Sequence, residues 1–253
     1  MELDLLNKMK NIVLAAGYAT RMYPLTENFP KPLLSIGNDT ILDRMLADID
    51  GISSINEHII VTNHRFFQVF EEWLKTASKR YSKPIKLFDD GSTSNDNRIG
   101  AVGDLIAAIK KFEINEDILV AAADNLLDFS LQSLVDFFVL KHSSVIYYLE
   151  EKDETRLRKC GVATIDSNGR VVELQEKPSQ PKSNKVTPPF YVFRSEDIPL
   201  IISSIDNGCK WDAPGNLAAY IAQVSSLYAI EMPGTRRDIG SLEGYYAAKE
   251  QAF

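Results

Sequence analysis

Patterns typical of buried strands and amphipathic helices alternate along the first half of the chain. Residues 11–15 form an apolar run that ends before Gly17, as in a strand buried on both faces of a parallel sheet. Residues 41–49 carry apolar side chains at helical spacing, and Asp39 or Thr40 could cap this helix. The same rhythm continues with strands at 58–62, 85–88 and 118–123 and helices at 66–77 and 102–111. The alternation predicts an α/β fold with right-handed crossovers, a mostly parallel sheet covered by helices on both faces, and ligands beyond the carboxyl ends of the strands.

The rhythm changes in the second half, where two strand patterns flank the turn Ser167-Asn168-Gly169 and predict a hairpin. The predicted segments there are a helix at 131–142, a strand at 145–149, hairpin strands at 161–166 and 170–175, a Pro- and Lys-rich loop at 177–189, a strand at 190–193, and helices at 197–204, 216–225 and 242–251. No internal repeat or flexible linker separates the halves. We therefore expect one domain over residues 1–253, with the second half forming an appended lobe on the same sheet.

Composition and charge narrow the classes of partner. The chain has 253 residues, is 45% hydrophobic and carries a formal net charge of -7, which disfavours a broad interaction with nucleic acid or an anionic membrane. The apolar run after Lys8 and Lys10 is too short for a secretory or membrane segment, so a cytoplasmic protein is expected. Cys160 and Cys209 lack the spacing of a disulfide framework or a zinc site.

The strongest chemical signal is the segment 12–34. It contains LAAGYATRM at 14–22, PLT at 24–26 and PKPLL at 30–34. A turn of small residues after a buried strand brings backbone N–H groups close to a phosphate, and Arg21 and Lys31 add cations beside it. The segment resembles the signature of the sugar-phosphate nucleotidylyltransferases, which reads LAAG, any residue, GTR, then PLT and PKPLL. Ala19 stands where that family usually has its second glycine, and its extra methyl group predicts a backbone shift or an altered nucleotide fit.

The resemblance implies a role for each part of this loop. Arg21 and Lys31 would stabilise the triphosphate and the leaving pyrophosphate as catalytic residues. The implied nucleotide-binding residues are Leu14, Ala15, Ala16, Gly17, Tyr18, Ala19 and Thr20, joined by Gly100 and Gly103 from a segment similar to the family's GTAGAL. The glycines of that segment could equally serve to begin a helix.

Two aspartates match the family's magnesium-binding positions. Asp124-Asn125 follows a predicted strand and resembles the GDN motif, with Ala123 in place of the glycine. Asp238 opens a segment similar to DIGTPEGY, with Ser241-Leu242 in place of Thr-Pro. The resemblance implies that Asp124 and Asp238 bind Mg2+, although either could instead cap a helix or turn.

The acceptor side of the reaction resembles the family less closely. Glu176-Lys177-Pro178 is similar to the EKP motif, whose lysine contacts the phosphate of the sugar phosphate, and Gly161 would let the sugar lie against the backbone. The implied sugar-phosphate-binding residues are Asn125, Gly161, Glu176 and Lys177. Thr187-Pro188-Pro189 replaces the Asn-containing turn of the family's NAGIYVF strand, so the sugar is not identified.

Taken together, the resemblance implies a glycosyltransferase-A-like, Rossmann-like nucleotidyltransferase fold that joins a nucleoside triphosphate to a sugar 1-phosphate and releases pyrophosphate. Residues 1–130 would bind the nucleotide and 131–253 the sugar phosphate, without nucleic acid or membrane as partners. A cytidylyltransferase acting on a non-sugar phosphate such as phosphocholine and a non-catalytic nucleotide-sugar sensor are the alternatives. A dehydrogenase and a P-loop NTPase are disfavoured because their glycine-loop motifs are absent. The base, the sugar and any homo-oligomeric state stay open.

Overall fold

The computed structural model describes residues 8–250. Its strands are β1 Met9–Leu14, β2 Ser35–Ile36, β3 Asp39–Thr40, β4 Ile55–Thr62, β5 Ile85–Asp89, β6 Asp117–Ala122, β7 Asn125–Leu127, β8 Ser144–Glu150, β9 Gly161–Ile165, β10 Val171–Glu176, β11 Lys185–Thr187, β12 Phe190–Phe193, β13 Leu227–Glu231 and β14 Arg236–Asp238. Its helices are α1 Ile41–Asp50, α2 Phe67–Arg80, α3 Gly100–Lys111, α4 Gln132–Lys141, α5 Glu154–Leu157, α6 Ile198–Ser203, α7 Pro214–Val224 and α8 Leu242–Glu250. The predicted α/β class is confirmed.

The described chain groups into two compact units that interleave along the sequence. The first unit comprises residues 8–98, Ala122–Leu131 and 234–250. The second unit comprises Ile99–Ala121 and Gln132–Pro233. Because the chain leaves each unit and returns to it, each unit is assembled from segments that are distant in sequence.

Parallel strands form the core of the first unit. β1 pairs with β4, and β4 pairs with β5, both in parallel, as the apolar runs predict. Ile12 and Val13 in β1 are fully buried, as are Ile59 and Ile60 in β4. In this register Leu14 lies opposite Val61, so the loop that follows β1 leaves from the carboxyl edge of the sheet, where ligands of such sheets bind.

Helix α1 begins where the sequence predicts, at a capping box. The Thr40 hydroxyl accepts a hydrogen bond from the Asp43 amide at 3.0 Å, and the Asp43 carboxylate accepts one from the Thr40 amide at 3.3 Å. The Asp43 carboxylate also accepts hydrogen bonds from the Trp73 indole at 3.1 Å and the Tyr81 hydroxyl at 2.9 Å. The cap therefore also ties α1 to α2 and to the residue that follows α2.

The second unit contains mainly antiparallel ladders. β12 lies between β6 and β8, β11 lies between β8 and β9, and β10 completes the hairpin with β9. β13 pairs with β8 in parallel. The predicted hairpin is confirmed: the Asp166 carboxylate accepts from the Asn168 and Arg170 amides, and Gly169 has φ 84°. A positive φ at this point of a turn favours glycine.

The differences from the sequence prediction are short elements and element ends. β11 lies within the predicted loop 177–189. The other elements that were not predicted are β2, β3, β7, β13, β14 and α5. Strands of three residues such as β7 and β14 are too short to show a period-two pattern. The ends of the longer segments shift by up to three residues, and residue 251 of the predicted last helix lies outside the described residues.

Two further observations concern membrane and thiol chemistry. Within residues 8–250, no helix has the length and apolarity needed to cross a membrane. Neither Cys160 nor Cys209 forms a disulfide bond within the described residues.

Candidate functional site

The loop after β1 is held by hydrogen bonds with residues at and just after the end of β4. The Ala15 amide donates to the Val61 carbonyl at 2.8 Å, and the Asn63 side-chain amide donates to the Ala16 carbonyl at 2.9 Å. The Tyr18 side chain is buried, and its hydroxyl hydrogen-bonds to that of Ser92 at 3.0 Å. The Tyr18 ring therefore faces the protein interior, and contact between Tyr18 and a ligand would rest on its backbone.

Ala19 is the turning point of the loop and adopts a left-handed conformation, with φ 47° and ψ 41°. Its carbonyl accepts hydrogen bonds from the buried Thr26 hydroxyl at 2.8 Å and from the Met22 amide at 2.9 Å. This conformation is the one that glycine adopts most readily, so the glycine usual at this position of the family has a backbone reason. The turn leads directly into the 3-10 helix Thr20–Met22, which contains the exposed Arg21.

The small residues of the loop open onto a crevice of about 90 Å3 in the first unit. Lys31 and Asp124 lie in the same crevice, although they are 93 positions apart in sequence. The lining residues are Leu14, Ala15, Gly17, Ala19, Lys31, Pro32, Ala122, Ala123 and Asp124. Of the seven loop residues predicted to bind the nucleotide, four line the crevice: Leu14, Ala15, Gly17 and Ala19. Ala16 and Tyr18 are buried and Thr20 is exposed, and none of these three lines the crevice.

A chain of side-chain hydrogen bonds begins in the crevice, at Lys31 and Asp124, and extends beyond it. Lys31 Nζ donates to Asp124 Oδ2 at 2.7 Å, and Asn125 Nδ2 donates to Asp124 Oδ1 at 2.8 Å. Arg236 Nη1 donates in turn to Asn125 Oδ1 at 2.6 Å. Each Asp124 oxygen thus accepts from one neighbour, and Asn125 links this carboxylate to a cation on β14.

Asp238 joins the same group of charges through the ribbon of β7 and β14. Asp238 lies opposite Asn125 in this antiparallel pair, and the next amide, of Ile239, donates to the Asp124 carbonyl at 2.9 Å. The Asp238 residue as a whole is exposed to solvent, but its carboxyl group is partly desolvated by its surroundings. This desolvation raises the pKa of the carboxyl, and the charge of Asp124 adds to the rise. The cations Lys31, Arg236 and Arg21 partly offset both effects. Two carboxylates and three cations therefore share one small region.

The pair of aspartates suits a divalent cation. Among residues 8–250, no group of three or more His, Cys, Asp or Glu side chains is arranged to hold a metal ion. Mg2+ does not need such a group, since it is usually held by one or two carboxylates together with substrate phosphates. Desolvation is the main cause of the raised pKa of Asp238, and the repulsion from Asp124 that adds to it is what a cation bound by both carboxylates would relieve. The donor set thus fits a Mg2+ that arrives with a polyphosphate.

A larger cavity, of about 470 Å3, lies elsewhere in the first unit and contains neither Lys31 nor Asp124. Its lining includes Asp43 and Asp48 of α1. Asp43 forms the helix cap, and Asp48 accepts a hydrogen bond from the Leu131 amide at 2.9 Å. These carboxylates therefore have structural partners, and the smaller crevice is the better candidate site.

Three of the four predicted acceptor residues, Gly161, Glu176 and Lys177, come together in the second unit, whereas Asn125 belongs to the first. Gly161 on β9 lies opposite Glu176 on β10, and Lys177 Nζ lies 3.7 Å from Glu176 Oε1. Burial raises the pKa of the Glu176 carboxyl and Asp212 adds to the rise, while Lys177 opposes it. Lys177 has φ 48°, a left-handed conformation that turns the chain at the end of the hairpin.

Gly100 and Gly103 also belong to the second unit, at the start of α3. Gly100 has φ 75°, and a Cβ atom built on it would collide with the ring and carbonyl of Trp211. The Val102 amide donates to the same Trp211 carbonyl at 3.0 Å. Gly100 thus has a packing role at this helix start. The nearest neighbour of a Cβ atom on Gly103 would be the Ile99 side chain, at 3.3 Å.

Two polar residues near these sites, Arg236 and Thr187, were not among the predicted site residues. Arg236 reaches the Asp124 network through Asn125, and its place two residues before Asp238 was the available signal. Thr187 lies opposite Gly161 on the strand β11, which the sequence did not predict. The pairing that brings Thr187 to Gly161 is a tertiary contact with no local pattern.

An α/β fold with a small-residue loop at the carboxyl end of its first parallel strand is the architecture of nucleotide-binding proteins. A sequence profile of the family described as Nucleotidyl transferase matches residues 10–252. The chain belongs to the nucleotidyl transferase family.

The relatives span several lengths and activities. The bifunctional protein GlmU of Methanococcus aeolicus is 32% identical over 188 residues, which is 74% of this chain and 41% of that protein. A UTP--glucose-1-phosphate uridylyltransferase of Synechocystis sp. is 23% identical over 248 residues, 95% of this chain and 62% of that protein. The chain thus spans 41% to 62% of the length of these relatives. The structure of a UDP-glucose pyrophosphorylase complexed with UDP-glucose shares the fold, with a TM-score of 0.79 at 20% identity over 96% of this chain and 97% of that chain.

Proposed function

We propose that this chain is a Mg2+-dependent nucleotidyltransferase that joins a nucleoside triphosphate to a sugar 1-phosphate, giving a nucleotide sugar and pyrophosphate. The observation that carries the proposal is the crevice in which a small-residue loop, Lys31 and Asp124 meet. The family match and the sugar-1-phosphate substrate in the name of the Synechocystis relative support it. The loop and the two aspartates belong to the first unit, and the acceptor residues Gly161, Glu176 and Lys177 belong to the second.

In the proposed reaction a phosphate oxygen of the sugar 1-phosphate attacks the α-phosphorus of the triphosphate in line. A new P–O bond forms as the bond between the α-phosphorus and its bridging oxygen breaks, and pyrophosphate leaves. No protein nucleophile is required, so catalysis rests on positioning and on compensation of charge.

The first unit would supply most of the charge compensation. Backbone N–H groups near Gly17 and Ala19 would approach the phosphates, and Arg21 and Lys31 would stabilise the triphosphate and the leaving pyrophosphate. Mg2+ held by Asp124 and Asp238 would neutralise phosphate oxygens and align the attack. Lys31 now donates to Asp124 at 2.7 Å, so a bound triphosphate would compete with that carboxylate for Lys31.

The second unit would hold the acceptor. Lys177 would bind and orient the phosphate of the sugar 1-phosphate, and Gly161 would let the sugar ring lie against β9. Glu176 would accept hydrogen bonds from sugar hydroxyl groups. The closeness of the three residues supports this division: Glu176 lies opposite Gly161, and Lys177 Nζ lies 3.7 Å from Glu176.

The test is a panel of nucleoside triphosphates against sugar 1-phosphates with Mg2+, scored by pyrophosphate release. Asp124→Asn should lower kcat/KM of the active pair by at least about 100-fold, because it removes a carboxylate that compensates charge in the transition state. Asp206→Asn, at an exposed residue of the second unit, is the matched control and should behave as the wild type. Circular dichroism melting would establish that both variants are folded.

Three outcomes would contradict the proposal. Mg2+-dependent pyrophosphate release retained by Asp124→Asn would remove Asp124 from the metal site. Turnover of an alcohol phosphate such as phosphocholine with CTP, with no sugar 1-phosphate active, would establish the cytidylyltransferase alternative. Nucleotide-sugar binding measured by calorimetry without turnover of any pair would establish the sensor.

A further inference from the structure

The antiparallel ribbon of β7 and β14 carries three polar side chains on one face. Asn125 on β7 lies opposite Asp238 on β14, and Leu127 lies opposite Arg236. Residues two positions apart on a strand project from the same face, and a long side chain can reach its diagonal neighbour on the next strand. Arg236 does so here, since its Nη1 atom donates to Asn125 Oδ1 at 2.6 Å. The ribbon thus brings a guanidinium to the residue that follows Asp124.

The Asn125 side chain is buried between two groups of opposite charge. Asn125 is only 2% exposed, and its Nδ2 atom donates to Asp124 Oδ1 at 2.8 Å. A guanidinium can only donate hydrogen bonds and an ionised carboxylate can only accept them, whereas an amide does both. One orientation of the Asn125 amide satisfies both neighbours, with its oxygen towards Arg236 and its nitrogen towards Asp124. Arg236 therefore fixes which end of this amide the carboxylate meets.

This contact matters most when a triphosphate is bound. Asp124 accepts one hydrogen bond on each carboxylate oxygen, from Lys31 at 2.7 Å and from Asn125 at 2.8 Å. A triphosphate that draws Lys31 away would leave Asp124 Oδ2 available to a cation. Within the part of the chain that the structure describes, Asn125 is then the side-chain hydrogen-bond partner that remains to Asp124. The direction of the carboxylate would rest on the amide, and the direction of the amide on Arg236.

We propose that Arg236 is a positioning residue of the metal site, which acts through Asn125 to hold the Asp124 carboxylate in place for Mg2+. Groups that hydrogen-bond to metal ligands orient these ligands, and their removal typically lowers metal affinity by about 10- to 100-fold. Removing a positive charge near a cation site should strengthen cation binding by electrostatics alone, whereas loss of positioning weakens it. The sign of the change therefore separates the two effects. The inference rests on the proposed function through its metal site.

The experiment measures Mn2+ binding to the protein by electron paramagnetic resonance, with Mn2+ as the probe because it prefers the same oxygen ligands as Mg2+. Arg236→Met keeps an unbranched stem and removes the donors, so it should raise the Kd for Mn2+ by about tenfold or more. Arg236→Lys keeps the charge and a donor and should recover most of the affinity. Lys79→Met removes a positive charge at an exposed position of α2 in the same unit, and this matched control should leave the Kd unchanged.

A double-mutant cycle tests whether Arg236 acts through Asn125. In an Asn125→Ala background, Arg236→Met should have little further effect on the Kd for Mn2+, because the link is already broken. Turnover gives a second readout, since a high Mg2+ concentration should restore much of the activity that Arg236→Met loses. A guanidinium that binds a phosphate directly would behave differently, because its loss would raise the KM for the nucleotide at every Mg2+ concentration.

Several outcomes would overturn the assignment. Unchanged or tighter Mn2+ binding by Arg236→Met would refute it, and so would an equal effect of Arg236→Met with and without the Asn125 side chain. If Arg236→Met does not fold, Arg236→Gln decides in its place, because a glutamine amide accepts as well as donates and does not fix the orientation of Asn125. A wild type that binds no Mn2+ refutes the metal site and this inference together. A wild type that binds Mn2+ but turns over no substrate pair defeats the proposed reaction alone, and the Mn2+ comparison still decides the role of Arg236.

Discussion

Replacing Ala19 by glycine should stabilise the protein, although glycine usually destabilises. Ala19 has φ 47° and ψ 41°, and this left-handed conformation costs a residue with a Cβ atom about 1–2 kcal/mol. Glycine is free of that penalty but loses about 0.4–1 kcal/mol more conformational entropy on folding. The difference predicts a net gain of about 1 kcal/mol for Ala19→Gly. In a chain of this size such a gain corresponds to a rise in Tm of about 2–4 °C.

The matched control is Ala47→Gly, at an exposed position of α1 in the same unit. Glycine in a helix interior costs about 1 kcal/mol relative to alanine, so Tm should fall by about the amount that Ala19→Gly raises it. Thermal unfolding of the three proteins, followed by calorimetry, gives both differences. A fall for Ala19→Gly as large as that for Ala47→Gly would refute the argument from left-handed strain.

Three further changes test other parts of the structure. Gly100→Ala should lower the free energy of unfolding in urea by about 2 kcal/mol or more, because φ of Gly100 is positive and the methyl group would strike Trp211. Gly103→Ala should lower it far less, and equal effects of the two changes would contradict this packing. Burial lowers the pKa of His58 from 6.5, because the charged form is disfavoured in the folded protein. The stability that the neutral form contributes is therefore present above pH 6.5 and is lost as the pH falls. The unfolding midpoint should thus be lower at pH 5.5 than at pH 7.5, and equal midpoints would disprove this. Burial raises the pKa of Glu176, so Glu176→Gln should raise Tm by a few degrees at pH 7. The gain should vanish below pH 4.5, where the carboxyl of the wild type is protonated in both the folded and the unfolded protein. A gain in Tm that persists below pH 4.5 would argue against desolvation as the cause of the raised pKa.

Most of the fold follows from local patterns. The apolar runs that became β1, β4 and β6 are long enough to show burial on both faces, and the Thr40 capping box marks the start of α1 within one residue. β11 was missed because three residues that include Lys185 carry no pattern apart from the strands they pair with. Pairing partners distant in sequence are a tertiary property, and no window along the chain contains them.

The candidate site shows a similar division between local and distant information. The motifs around Lys31 and Asp124 were identified from sequence, but their 2.7 Å contact depends on the folded path of the chain. The left-handed turn at Ala19 was not expected, because alanine seldom adopts it and a single sequence gives no φ angle. Asn125 was placed with the sugar phosphate by resemblance, whereas its contacts here are with Asp124 and Arg236, so its proposed contact with the sugar awaits a test.

The two alanines that stand where the family usually has glycines differ in physical consequence. Ala19 carries a strained backbone, whereas Ala123 has no positive φ, is buried, and donates its amide to the Leu14 carbonyl at 3.1 Å. A glycine at Ala123 would therefore relieve no strain, and the alanine there changes only the space available. Both residues line the crevice of about 90 Å3, so each adds a methyl group to a wall that a nucleotide would approach. A triphosphate or base must then lie farther from the backbone here than at a glycine, so both Ala123→Gly and Ala19→Gly should change the KM for the nucleotide. Because it relieves no strain, Ala123→Gly should lower Tm by about 1–4 °C, whereas Ala19→Gly should raise it.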